Sequence, residues 1–418
     1  MQITDKTLVI GVDIAKKTHF ARAFDWRGME LDKTISFKAN ATGFSEFKEW
    51  AIKTAQKNRK EKIVVGFEPT GHYWFTFAPA VLEEGMMVVQ VNPYHVKNTK
   101  ELDDNSPSKS DHKDPKTIAM LVKDGRYQIP YMPKGTYAEL RKANNLREEW
   151  LKKIWAIKNK VQRWLDTYFP EFLKVFSDWE GKAALMTLER IGLPDKIVAH
   201  TATEIVSIWR EEVQKAVGIK KAQKLIEEAT SSVGVKEGLK MAEYEIRLLL
   251  KEYREVRTIL DDIESKLEEL VMVIPGAVRF LEIKGIGIKT VAGFLAEVGD
   301  ITRFSHPKQI IKLAGLNIRE NSSGNHKGET TITKRGRSRL RALLFRAILP
   351  MTAKNAEFSE LHKYNTTRRD NPLKKKQSLI ALCCKLIRVA FTLITKNMKY
   401  DPVKLLEDIH RDEEYIAA

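Results

Sequence analysis

Asp13 closes the apolar run "LVIGV" and Glu68 closes "IVVGF", so each carboxylate ends a segment that reads as a buried strand and emerges at a sheet edge. Two such acids suggest a shared site. Close carboxylates repel, and hard divalent cations relieve that repulsion; Mg²⁺ prefers oxygen ligands. Paired ions can activate a nucleophile and stabilise a leaving oxygen in phosphoryl transfer. A third element, "KSDHKDPKTIAMLV", supplies Asp111 and Asp114, which share a helical face if the segment is helical throughout. Pro115 disfavours α conformation at Asp114 and suits a first helical position, so Asp114 is equally readable as the N-cap of the helix holding Ile118 and Leu121. Capping or turn roles also remain open for Asp13 and Glu68 taken singly. His112 reads as solvent-facing and His72, in "EPTGHYW", as structural.

The second chemical stretch is "ENSSGNHKGETTITKRGRSRLR", residues 320 to 341, where Ser322 and Ser323 precede a dense basic run. On residue types alone "NSSGN" is a polar turn. A neutral serine hydroxyl becomes a nucleophile only with a base or metal-assisted deprotonation. Lys334, Arg335, Arg337 and Arg339 offer cations nearby. Over the whole chain, 72 Lys and Arg against 55 Asp and Glu leave a formal charge of +17. Such an excess creates positive surfaces and implies a polyanionic partner. Nucleic acid is favoured over a membrane surface, because the basic residues lie among turns and mixed helices and not along one amphipathic stripe.

Three regions position these residues. Residues 1–136 alternate strands with helices: "TLVIGVDIA", "HFARAFD" and "TISFKA", a helix from Gly43 to Lys57, "KIVVGFEPT", a helix near Tyr73 to Glu84, and "MVVQVNP". Three strands before the first helix predict a mixed sheet that opens with a meander. A doubly wound nucleotide-binding fold is disfavoured, since neither GxGxxG nor GxxxxGK[ST] follows the first strand. Residues 137–270 read as a helical connector. Leu239, Ala242, Ile246, Leu249, Tyr253, Val256, Leu260, Ile263, Leu267 and Leu270 form a heptad seam, either between two helices of one chain or between chains in a coiled coil. A small helical insert lies between the connector helices. Residues 271–418 begin with "FLEIKGIGIKTVAGFLAEVGD", where Gly285 and Gly287 resemble the turn of a helix-hairpin-helix, whose amides can hold a phosphate. An ordinary glycine-containing turn is the alternative. Cys383 and Cys384, in "SLIALCCKLIRVAFTLI", read as reduced core residues. No secretory signal is evident and no apolar stretch approaches about 20 residues, so a soluble cytoplasmic protein is expected.

In this order the motifs resemble the DEDD transposases of the IS-one-ten insertion sequences, which work with a structured guide called a bridge RNA. The resemblance lies in Asp13, in Glu68 within "EPTG", in Asp111 and Asp114, and then in "GIGIKTVA", Arg303 with Phe304, Ala314 to Leu316, Ser323 with Gly324, Lys334 to Gly336, and Leu340 with Arg341. It departs at Lys284, Ile318 and Pro115, where the family usually has proline, proline and alanine. The resemblance implies a RuvC-like, RNase-H-fold first domain, a coiled-coil connector and a mainly helical transposase domain. It implies Mg²⁺, with Mn²⁺ as a substitute, held by Asp13, Glu68, Asp111 and Asp114, and Ser323 as the nucleophile that joins a DNA end covalently. Ser322 is the weaker alternative. Gly285, Gly287, Lys334, Arg335, Arg337, Arg339 and Arg341 are the expected nucleic-acid contacts. Expected partners are donor and target DNA, a guide RNA and a second copy of the chain, as a homodimer or homotetramer in a bacterial or archaeal cytoplasm. Two rival readings stand beside it: a RuvC-like hydrolytic nuclease with a structural Ser323, and a non-enzymatic nucleic-acid-binding protein.

Overall fold

Apolar residues on both faces of β1 (Thr7–Asp13) explain why it lies inside a sheet. Leu8, Ile10 and Val12 join a core with Phe47 and Phe77, whereas Val9 packs on the opposite side with Ile118 and Val122. After it come β2 (Thr18–Phe24), β3 (Ile35–Lys38), α1 (Ala41–Lys57), β4 (Lys62–Phe67), α2 (Trp74–Glu83), β5 (Met87–Val91), α3 (Pro93–Asp104), α4 (Lys113–Lys123) and β6 (Tyr127–Gln128). The computed structural model describes residues 2–104, 113–215, 217–319, 322–323, 326–327, 331–407 and 409. They form two units, Met1–Met132 and Pro133–Ala418.

In the first unit the strand order is β3-β2-β1-β4-β5-β6. β1, β2 and β3 are the antiparallel meander expected from the sequence, and β4 and β5 continue parallel to β1. The two-residue β6, antiparallel to β5, was not anticipated. Gly11 and Gly66 face each other in the β1–β4 register. A Cβ on Gly11 would stand 1.9 Å from the Pro115 carbonyl oxygen, and one on Gly66 would stand 2.4 Å from Val122 Cγ2. The absence of both side chains is what lets α4 lie directly on the paired strands.

The second unit begins with α5 (Thr136–Tyr168). The short helices α6 (Phe172–Val175), α7 (Lys182–Arg190), α8 (Pro194–Val198), α9 (Ala202–Arg210) and α10 (Ile219–Thr230) make up the insert. α11 (Leu239–Met272) returns antiparallel to α5: Trp164 Nε1 donates to the Ala242 carbonyl at 2.9 Å near one end, and Arg147 Nε to Glu264 Oε1 at 2.9 Å near the other. The heptad seam is covered within the chain. Ala242, Ile246, Leu249, Tyr253, Val256 and Leu260 pack with Ile154, Ile157, Val161 and Trp164 of α5 and with the insert, and Ile263 and Leu267 enter the core of the C-terminal helices. Trp179 of the insert lies edge-on to Tyr253 at 5.1 Å, and Tyr253 donates to Glu180 at 2.6 Å. An intermolecular coiled coil along this seam, one of the two expectations, therefore has no exposed surface to use.

α12 (Ala277–Leu281), a turn and α13 (Ile288–Val298) give the short-helix, glycine-turn, helix arrangement foreseen around Gly285. Gly285 has φ +97° and backs onto Met351, while a Cβ on Gly287 would meet nothing within 4 Å, so that backbone is open to a close approach. α14 (Pro307–Leu313), α15 (Ser338–Lys354), α16 (Ala356–Thr367) and α17 (Lys375–Lys396) complete the unit. The 22-residue α17 corrects the expectation that no apolar segment nears membrane-spanning length; by length and composition it qualifies. Its Leu379, Leu382, Cys383, Leu386, Ile387, Ala390, Leu393 and Ile394 are spent on the core of this unit. Burial pushes the Cys383 thiol up to about 12, which suits its core role.

Candidate functional site

The parallel register aligns Val12 with Phe67, so Asp13 and Glu68 follow at the same end of neighbouring strands. Alternation along the strands turns Asp13, and Glu68 just beyond β4, to the face occupied by Gly11 and Gly66, on which α4 lies. α4 starts at this end. Asp114 occupies its first turn beside Pro115, whose carbonyl covers Gly11 two residues before Asp13. All three acids are half-buried, and each has interactions with its surroundings. Asp114 is thus inside the helix and not its N-cap, a correction to the capping alternative. Pro115 is tolerated because first-turn N–H groups lack intrahelical acceptors, and an acid in that turn complements the helix dipole. Asp111 and His112 lie outside the described residues.

The donor set is all oxygen, which fits a hard divalent cation better than a transition metal favouring nitrogen or sulfur. Asp13 and Glu68 follow adjacent strand ends, and Asp114 lies in the first turn of α4. Among the described residues, no three or more His, Cys, Asp or Glu side chains close around one point as a complete metal cage would. The loop after Asp13 adds exposed Lys16 and Lys17. His72 is exposed beside Tyr73, their rings 4.4 Å apart.

In the second unit the serines are not in a simple turn. β7 (Ile318–Arg319) pairs antiparallel with β10 (Thr331–Ile332), and β8 (Ser322–Ser323) with β9 (His326–Lys327). In that register Ser322 opposes Lys327 and Ser323 opposes His326. The basic run that follows divides by role. Arg341 Nη1 donates to the Ala314 carbonyl at 2.9 Å, and Arg337 bridges Glu297 at 3.2 Å. Arg339 is exposed, donating to Asn145 at 2.7 Å, and Lys334 and Arg335 are exposed as well. Gly336 packs against Gly315: a Cβ on Gly336 would stand 2.6 Å from the Gly315 nitrogen. The "AGL" and "TKRG" segments are therefore two sides of one backbone-to-backbone lock.

Sequence reasoning missed His19 on β2. Its ring is fully buried, 5.2 Å from Phe37, 6.0 Å from Phe44 and 5.6 Å from Phe77. Nδ1 accepts from the Ala15 amide at 3.2 Å, and Nε2 has no hydrogen-bond partner among the described residues. Burial lowers its pKa to about 4. Alternation in "THFARAF" was the available signal, since it sets His19 on the inward face with Ala21 and Ala23.

The class these features define is an α/β unit with acids at neighbouring strand ends, followed by a basic, mainly helical unit. A model of the IS110 DEDD transposases, described as "Transposase", matches residues 10–170, and one described as "Transposase IS116/IS110/IS902 family" matches residues 277–363. With both models matching in chain order, the chain belongs to the IS110 family of transposases. It is 30% identical over 121 residues to the pilin gene-inverting protein of Moraxella bovis, covering 28% of this chain and 37% of that protein. The transposase for insertion sequence element IS1111A of Coxiella burnetii is 28% identical over 144 residues, 34% of this chain and 39% of the relative. These two alignments thus span less than half of each relative. An uncharacterized protein of insertion element IS116 from Streptomyces clavuligerus aligns over 94% of this chain and 96% of its own length, at 23% identity.

Proposed function

We propose that the chain is the recombinase of an insertion sequence, cleaving and rejoining DNA strands under the guidance of a structured RNA. The observation that carries this is the placement of Asp13 and Glu68 at adjacent parallel strand ends, with the first turn of α4 packed on the same strands at Gly11, in a member of a transposase family. Relatives named for transposition and for gene inversion support DNA as the substrate. The mixed sheet supports a RuvC-like, RNase-H-fold assignment for the first unit. Asp13, Glu68, Asp111 and Asp114 are the proposed holders of Mg²⁺, which when bound would neutralise phosphate charge and acidify the attacking hydroxyl.

Ser323 is the proposed nucleophile. Its oxygen loses a proton to a base and bonds to the scissile phosphorus; the P–O bond to one strand breaks, and that strand leaves as a hydroxyl. Attack by another strand's hydroxyl on the seryl phosphodiester reverses these bonds and frees the serine, so no external energy source is consumed. Exposed Lys334, Arg335 and Arg339 and the open backbone at Gly287 support a role for them, with Gly285, in balancing phosphate charge. The proposed acids belong to the first unit and the proposed serine to the second.

The test uses the full chain with the RNA that copurifies with it, sequenced and compared with the element's flanks, and matching donor and target DNA. Asp13→Asn and Glu68→Gln should fold and bind RNA normally but lose cleavage, because ligand charge is removed at nearly constant shape. A protein–DNA adduct trapped under denaturing conditions should map to Ser323 and vanish in Ser323→Ala, while Ser322→Ala retains recombination. Adduct at Ser322 would move the nucleophile by one residue. Undiminished cleavage by Ser323→Ala would replace recombination through serine with hydrolysis.

A further inference from the structure

His19 stands at a junction that the carboxylate site needs to be rigid. β1 ends at Asp13, the chain runs through Ile14 to an exposed loop at Ala15–Lys17, and β2 brings His19 back, one residue before Phe20, which pairs with Asp13. The Ala15 amide has left the strand ladder, and the acceptor it finds is His19 Nδ1. Since Nδ1 accepts, the ring proton resides on Nε2, a donor buried among aromatic rings without a partner among the described residues.

That arrangement carries a cost. An unsatisfied buried donor is unfavourable, and a phenylalanine at this position would avoid it among Phe37, Phe44 and Phe77. What a phenylalanine cannot supply is the acceptor for Ala15. The ring also lies 5.6 Å from Phe77 of α2, the helix that follows the Glu68 loop.

We propose that His19 is a positioning residue: by holding the Ala15 amide through neutral Nδ1 it fixes the Asp13 end of β1 in the geometry needed for strand cleavage. This rests on the assignment of Asp13 to the catalytic site. His19 itself, being fully buried, touches no substrate.

Two substitutions separate its functions. His19→Phe keeps an aromatic ring and removes the acceptor, whereas His19→Asn keeps an oxygen close to the Nδ1 position and removes the ring. Deuterium exchange resolved to the Ala15 amide reads the contact without reference to activity. The wild-type amide should be protected, protection should be lost in His19→Phe, and His19→Asn should restore it. Cleavage by His19→Phe should fall about 10- to 100-fold, as for loss of a partner supporting a ligand, with nucleic-acid binding unchanged and cleavage recovered in His19→Asn despite weaker packing. An unprotected Ala15 amide in the wild type would overturn the proposal without any variant. So would full cleavage by a folded His19→Phe while Asp13→Asn is dead. Normal cleavage by Asp13→Asn would instead overturn the catalytic assignment, and the positioning role with it.

Discussion

At the scale of single residues, chemistry was legible where an acid interrupted an apolar run and hidden where a polar residue joined one. Asp13 and Glu68 stood out because a carboxylate after five apolar residues has to sit where a strand leaves the core. His19 did not, because a histidine in an amphipathic strand is ambiguous until the facing residues prove to be Phe37, Phe44 and Phe77. Its burial yields a pH signature. The unfolded chain protonates near the ordinary histidine value of 6.5, whereas the folded ring resists until about pH 4. The unfolded state therefore binds more protons in that window, and stability is full above pH 6.5 and declines as pH falls toward 4, by up to about 3 kcal/mol. Asp25 and Asp32, held below their ordinary value of 3.8 despite burial by hydrogen bonds to backbone amides and side chains, lose their contribution only at lower pH. Denaturant titrations of the first unit's transition from pH 7 to 4 should show the decline in the wild type and its flattening in His19→Phe. An equal slope in both would show that the ring titrates normally.

At the scale of elements, the first five strands and the first two helices of the sheet unit followed from periodicity, because an apolar alternation of two and a helical spacing of 3.6 are local properties. The seat of α4 did not. Gly11 and Gly66 look like weak points in strands, and nothing local says that they face each other and admit a helix backbone. The clash distances rank the consequences of filling them. At Gly11 an added Cβ meets the backbone of α4, the Pro115 oxygen at 1.9 Å and the Ala119 nitrogen at 2.7 Å, so no rotamer change relieves it. At Gly66 the obstacle is the Val122 side chain, which can rotate. Gly11→Ala should therefore cost more than the roughly 1–3 kcal/mol usual for overpacking, and Gly66→Ala no more than that range. Because α4 carries Asp114, any Gly11→Ala protein that still folds should also cleave more slowly than Gly66→Ala. Comparable melting and cleavage in the two variants would mean that α4 does not rest on Gly11.

At the scale of the whole molecule, the heptad seam shows what a repeat can and cannot say. The three-four spacing from Leu239 to Leu270 announced one long helix with one apolar face, and α11 is that helix, but a repeat does not name the surface it packs on. Here the answer depended on the insert, whose Trp179 meets the seam yet carries no heptad of its own. Val256 tests the outcome, because it is buried in the centre of α11 within the core shared with α5 and the insert. A carboxylate placed there has no counter-charge in an apolar core, and an uncompensated buried charge costs about 3–5 kcal/mol. Val256→Asp should lower or abolish the unfolding transition of the second unit while leaving that of Met1–Met132, which has its own cores, near its wild-type temperature. Sedimentation decides between intrachain and interchain packing. If the seam instead joined two copies, the variant would remain folded in both units and sediment as a smaller species. A loss of folding confined to the second unit assigns the seam to one chain, and contacts between copies must then use other surfaces.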